Sequence, residues 1–409
     1  LTPIAIKKLI VNKNMKHYNF DEVIERHGTS CVKFDRLKEM FGDENLIPLW
    51  VADMDFRTPD FIVEALKKRC EHEIFGYTFG SDEYYESIIN WVHYKHNWKI
   101  QREWISYIPG IVKGIAFAIQ CFTQKGDKIM VMPPVYHPFF LVTEHNHREV
   151  VYSPLLLKDG QYQIDFERFR ADVKGCKMLI LSNPHNPGGR VWTREELAEI
   201  AEICFDNQVL VISDEIHADL TLPGYTHPTF ALVSEKARRN SLVFMSPSKA
   251  FNMPGLASSY CIIEDEAIRH RFQTYMEASE FSEGHLFAYL GVAAAYSNGT
   301  EWLDQALEYI QENIDFTDEY LKTHIPAIRM IRPQASYLIF LDCRGMGVSQ
   351  KELVDFFVDG AHLALNDGAM FGKEGEGFMR LNVACPRSVL RQALDQIKEA
   401  YELKHDTIA

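Results

Sequence analysis

The 409-residue sequence lacks closely spaced cysteines. Eight are present, yet the nearest pair, Cys176 and Cys204, is 28 residues apart, so there is no CxxC element for a zinc ribbon or a dithiol redox site. Several of the eight lie in apolar runs and read as core thiols. No apolar run approaches the roughly 18 residues that a membrane-spanning helix needs, and no secretory leader pattern is visible. The expected setting is reducing and cytoplasmic. An excess of positive charge is also missing. The net charge of −14 excludes a broad basic surface for nucleic acid or anionic membrane. It does not exclude a buried anion site, which a few backbone N–H groups can build. Repeats, low-complexity tracts and a flexible linker are absent too. Residues 1–14 are poorly patterned, and Met15 reads as a start with upstream residues before it.

What is present is an ordinary globular composition, 46% hydrophobic and 24% charged, in a chain long enough for two domains. Between about residues 105 and 265, β-rich runs alternate with helical patterns. The strand candidates are Lys128–Met132, Glu149–Tyr152, Met178–Leu181, Val209–Ile212, Ser241–Met245 and Ser259–Ile263. Several are apolar throughout, as strands covered on both faces are. Thr193-Arg-Glu-Glu196 is a capping box, and Leu197, Ile200, Ala201 and Cys204 follow at helical spacing. This rhythm predicts a largely parallel sheet covered by helices. Residues 301–325 predict a long amphipathic helix. Beyond about 328, β runs at Tyr337–Leu341 and Met379–Val383 and helices near 350–358 and 387–403 predict a smaller α+β domain. Residues 1–60 are expected to pack with that small domain, 301–409, and residues 61–300 to form the large one.

In open α/β sheets, ligands gather outside the carboxyl ends of the strands. Three consecutive strand ends here carry Ser182-Asn-Pro-His-Asn-Pro-Gly-Gly189, Ser213-Asp-Glu-Ile-His217 and Ser246-Pro-Ser-Lys249. An amide, a carboxylate and an amine are thus offered side by side. Each alone has a bland reading: an Asn-Pro turn, a helix cap, a solvated lysine. Together they suit pyridoxal 5′-phosphate. That cofactor needs a lysine for a Schiff base, a carboxylate to keep its pyridine nitrogen protonated, and a donor to its phenolic oxygen. Lys249, Asp214 and Asn186 supply these. Tyr136, in Pro133-Pro-Val-Tyr-His137, is placed to stack on the ring. Pro109-Gly-Ile-Val-Lys-Gly114 opens a helix running to about Phe122, and its backbone N–H groups, at Ile111 and Val112, suit a phosphate. Ser246 adds a hydroxyl.

On these motifs, with Phe251-Asn252 and Phe378-Met-Arg-Leu-Asn-Val-Ala-Cys-Pro-Arg387, residues 16–405 resemble the fold-type I pyridoxal-phosphate enzymes of the aminotransferase class I/II superfamily. The chain is most similar to the cystathionine β-lyase, or cysteine-S-conjugate β-lyase, branch. Pro48-Leu-Trp-Val-Ala-Asp-Met-Asp-Phe56, His217 and Gly368-Ala-Met-Phe-Gly372 carry that likeness. The resemblance implies a mostly parallel sheet of the seven-stranded type flanked by helices, plus the smaller α+β domain. It implies that Arg380 grips a substrate α-carboxylate and that Tyr77 reaches the phosphate in a neighbouring subunit, making a homodimer with shared sites. The implied reaction is α,β-elimination from L-cystathionine or related L-cysteine S-conjugates, giving thiol, pyruvate and ammonia. Transamination of L-amino acids and a regulatory protein on the same fold are the alternatives.

Two positions depart from the aminotransferase pattern. His217 replaces a tyrosine three residues after the aspartate, and Ala257 replaces an arginine eight residues after the lysine. His217 is expected near the cofactor. Lys113 stands where small residues or proline are usual in this branch, and reads as a surface lysine. His93-x-x-His96 and His145-x-His147 have metal-like spacing but no completing shell, so they read as surface histidines and no metal is expected. Asp53 and Asp55 read as structural, in a loop at the substrate entrance. The backbone at Val51 and Ala52 is expected to meet the substrate carboxylate.

Overall fold

The computed structural model describes residues 16–406, so the expectation about Met15 lies outside them. A seven-stranded sheet forms the centre. Its order is Ile105–Ile108, Ser259–Ile262, Ser241–Met245, Leu210–Asp214, Cys176–Ser182, Lys128–Val131, Glu149–Tyr152. The strand Ser259–Ile262 runs antiparallel to both its neighbours, and the other pairings are parallel. The sheet is therefore mixed, with a parallel majority. The alternation along each strand explains why the apolar runs are continuous. Leu179, Leu181 and Val211 face one layer, with Leu197, Ile200 and Cys204 of the helix Arg194–Asp206. Met178, Ile180, Leu210 and Ile212 face the other, with Ile115 and Ile119 of the helix Ile111–Phe122. Side chains at period two with both faces covered make these strands apolar on both sides along most of their length. The capping box at Thr193 forms as its spacing predicts.

The order also creates a crevice. After Glu149–Tyr152 the chain crosses back to the far side of Lys128–Val131, so the connections from Lys128–Val131 and Cys176–Ser182 leave in opposite directions. Such a reversal opens a cleft at the carboxyl ends of the strands. Two glycines set the helix that faces it. Gly110 has φ of 120°, which disfavours any side chain, and turns the chain into the helix Ile111–Phe122. A Cβ on Gly114 would lie 2.5 Å from Ile108 Cδ1, so only glycine lets this helix sit so close to the sheet.

A second, antiparallel sheet has the order Arg329–Ile331, Leu338–Asp342, Phe378–Asn382, Asn366–Asp367. The long helices Thr300–His324 and Arg387–Asp406 belong to the same part of the chain. Ile47–Pro48 pairs in parallel with Leu363–Ala364, and Asn382 N–H donates to Leu49 O at 2.9 Å. These bonds lay residues 47–56 against the second sheet, over the mouth of the crevice. Within these two larger sheets, sequence reading passed over three strands. Ile105–Ile108 has four residues, Arg329–Ile331 three and Asn366–Asp367 two. Runs that short carry too little alternation to register.

Candidate active site

The three strand ends meet in one cavity of about 410 Å³, lined by Tyr136, Asn186, Asp214, His217 and Lys249, with Gly110, Ile111, Val112 and Lys113 along one wall. Asp214 is the last residue of its strand, beside Ser182 in register, and Ile216 N–H donates to its Oδ1 at 3.1 Å. Burial pushes its carboxyl up to about 7. Among the described residues no lysine, arginine or histidine lies within ion-pair distance of it. Burial acts on Lys249 in the opposite sense and lowers its amine to about 8. Its Nζ donates to the carbonyl of Ala52. Burial also lowers His217 to about 3, so this imidazole is neutral at physiological pH, and its Nδ1 has no partner.

Arg380, 4% exposed, does not line the cavity itself but bonds Asn186, which does. Its guanidinium donates to Asn186 Oδ1 at 3.2 Å, Asn366 Oδ1 at 2.6 Å and Trp50 O at 3.1 Å, and stacks 4.9 Å over the Phe371 ring. Nε is buried without a partner, and no carboxylate pairs with the group among the described residues. A buried cation without a counterion is costly, and a bound carboxylate relieves it. The Gly368–Gly372 motif supplies the ring beneath it.

The Trp50–Phe56 loop closes over Lys249. Its carbonyls are taken by the protein: Val51 and Asp53 by Asn382 Nδ2 at 2.8 and 2.6 Å, Ala52 by Tyr337 Oη at 3.1 Å, Met54 by Asn252 Nδ2 at 3.0 Å. Only the N–H side of Val51 and Ala52 is left to meet a ligand, which is the polarity a carboxylate needs. Asp53 and Asp55 pair with Arg26 at 2.7 and 2.6 Å, and Asp55 also with the fully buried Lys33 at 2.7 Å. Their charges are spent in holding the loop.

Some sequence expectations fall elsewhere. Ser246 does not line the cavity. Its hydroxyl bonds Ser248 Oγ at 2.9 Å, and Ser248 and Ser258 line the wall instead. Tyr77 stands fully exposed, away from the cavity of its own chain. Lys113 is exposed as expected, yet it borders the cavity. His96 is not a surface histidine. Its side chain is buried, with Nε2 3.0 Å from Asp219, tying the segment after His217 to the helix Asp82–His96. His145 and His147 are exposed. Ser248, Ser258 and Lys113 were missed as site residues because serine and lysine carry no signal until the strand ends converge.

The lining fits pyridoxal phosphate. The unpaired Asp214 carboxylate awaits a cation such as a protonated ring nitrogen. The unpartnered hydroxyl of Ser258 and the uncapped N-terminus after Gly110 await an anion. Comparison with known proteins gives the same direction. The chain is 42% identical to cystathionine beta-lyase PatB of Bacillus subtilis over 93% of its length and 99% of the relative's. It superposes on cystalysin from Treponema denticola, a structure containing pyridoxal 5′-phosphate, with TM-score 0.92 and 32% identity, covering 95% of this chain and 100% of that one. A pyridoxal-phosphate-bound C-S lyase from Staphylococcus hominis matches with TM-score 0.87 and 34% identity, covering 94% and 98%. Residues 44–397 match the family model for aminotransferase class I and II. The chain belongs to the aminotransferase class I and II family.

Proposed function

We propose that this chain is a pyridoxal-phosphate-dependent carbon–sulfur β-lyase, acting on L-cystathionine or related L-cysteine S-conjugates. The observation that carries the reading is the convergence of Lys249, Asp214 and Asn186 from three adjacent strand ends on one cavity, in a chain so close to a cystathionine β-lyase. When bound, the cofactor supplies an electron sink next to the substrate's α-carbon.

The residues divide the remaining work. Lys249 holds the cofactor through its amine. Asp214 would hold the ring nitrogen protonated. Asn186, whose side-chain oxygen is taken by Arg380, offers its amide N–H to the phenolic oxygen. Tyr136 would stack on the ring, and the N–H groups at Ile111 and Val112 would hold the phosphate. Arg380 grips the substrate carboxylate with a two-pronged fork, helped by N–H groups at Val51 and Ala52. His217 stays neutral, and its unpartnered Nδ1 would be free to hydrogen-bond a bound ligand.

A lysine amine lowered to about 8 is a competent base, since far more of it is neutral near neutral pH than of an ordinary lysine. With the cofactor in place, the Lys249 amine would remove the substrate's α-proton. The Cα–H and Cβ–S bonds break, a carbon–carbon double bond forms, and the sulfur leaves with its electron pair. Lys249 then returns the proton to the sulfur. The released enamine hydrolyses to pyruvate and ammonia. The working unit in this reading is a homodimer, in which Tyr77 completes the phosphate site of the second copy. The exposure of Ile74, Phe75, Tyr77 and Phe79 in one segment supports it.

The test is pyruvate release from L-cystathionine over many turnovers, with no keto acid present, beside a Lys249→Ala control. Sustained pyruvate, absent from the control, is expected. A single turnover that stops until a keto acid is added would identify an aminotransferase instead.

A further inference from the structure

We infer that Lys113, assisted by the Ser258 hydroxyl, is the cation that neutralises the cofactor's phosphate in this protein. The inference rests on the cofactor site proposed above. A phosphate monoester carries nearly two negative charges at pH 7. The cavity offers it few positive ones. Among the described lining residues the cationic side chains are Lys113 and Lys249, and Lys249 is committed to the other end of the cofactor. His217 is neutral. The position beside Ser258 is Ala257, which carries no charge.

Three observations place the anion next to Lys113. The helix Ile111–Phe122 has no side-chain cap and no acidic residue in its first turn. Lys113 is its third residue, where a cation opposes the helix dipole. Nothing on the protein compensates it: among the described residues no carboxylate lies within ion-pair distance of its amine. A lysine there is unfavourable in the empty protein and becomes favourable once an anion sits on the same helix end. Independently, Ser258 is 1% exposed, lines the same cavity and has no partner for its hydroxyl. A buried orphan hydroxyl costs free energy that a phosphate oxygen recovers. Lysine suits the role, being a compact point charge on a flexible stem that can reach inward from the rim.

The experiment is equilibrium titration of apoprotein with pyridoxal 5′-phosphate and, separately, with pyridoxal, which lacks the phosphate. Lys113→Ala is expected to raise the Kd for the phosphorylated form about tenfold at low salt, with the gap narrowing as salt rises. The Kd for pyridoxal should not move, and the melting temperature of the apoprotein should not fall. Lys113→Arg should keep near wild-type affinity. Ala257→Arg in the Lys113→Ala background should restore it, because Ala257 borders the same cavity and already adopts φ of 49° with a Cβ in place. An unchanged Kd for pyridoxal phosphate in Lys113→Ala would overturn the assignment and leave the site itself standing, as would equal losses for both ligands. A wild-type chain that takes up neither ligand would overturn the site and this inference together.

Discussion

Lys249 and Asp214 are both buried, and burial moves them toward each other on the pH scale, to about 8 and about 7. In each case burial disfavours the charged form in the empty protein. In the proposed function the cofactor would reverse this for Asp214, because a ring cation beside it would favour the carboxylate. For Lys249 the shift is useful as it stands. Only the neutral amine attacks an aldehyde, and neutral amine accumulates above its pKa. The rate of cofactor uptake by apoprotein should therefore rise with pH and level off with a midpoint near 8. A stopped-flow pH profile checks this. At pH 8 such a lysine is about half neutral, roughly a hundredfold more than an ordinary one at 10.5. A midpoint near 10 would show Lys249 to be solvated. Both residues were legible in the sequence, because each ends an apolar run and strand ends are local signals. Their titration was not, since it depends on neighbours such as Asp53 and Arg380 that are distant in sequence.

At the scale of elements, the loop Trp50–Phe56 determines what reaches Lys249. Its sequence marked it as a signature without showing what holds it. The structure gives the cause: Asn252, three residues after the lysine, accepts from Met54 N–H at 3.0 Å and donates to Met54 O at 3.0 Å and Phe56 O at 2.7 Å. The residue that follows the lysine turn is thus the latch for a loop about 200 residues earlier. Asn252→Asp keeps the shape, and tolerates the φ of 50° nearly as well, but loses both donated bonds. Two lost bonds at about 1 kcal/mol each should loosen the loop. The expected result is a KM for L-cystathionine raised about tenfold, with cofactor affinity unchanged. An unchanged KM would mean that Asn382 and Arg380 hold the loop unaided. The helix Ile111–Phe122 was also legible from its Pro-Gly opening, whereas its closeness to the strand at Ile108 depends on the space that Gly114 leaves.

For the whole molecule, the segment with Ile74, Phe75, Tyr77 and Phe79 presents four large apolar side chains to solvent, Tyr77 entirely so. A lone chain gains nothing from such a face, and the homodimer proposed above would bury it. Sedimentation equilibrium should report a dimer. Phe75→Ser with Phe79→Ser should dissociate it and weaken pyridoxal phosphate binding, since Tyr77 would lose its place on the partner site. A monomeric variant with full cofactor affinity would sink the shared-site reading. By itself the sequence determined the βαβ rhythm, the strand ends that carry chemistry, and the family, because apolar period, turn residues and motifs are properties of neighbouring positions. Only the tertiary structure decided the reversal of the strand beside Ser241–Met245, the burial of His96 on Asp219, the replacement of Ser246 by Ser248 and Ser258 at the cavity wall, and the presence of Lys113 beside it. Each of these is set by which long-range surfaces pack together, and packing brings into contact residues that no local pattern relates.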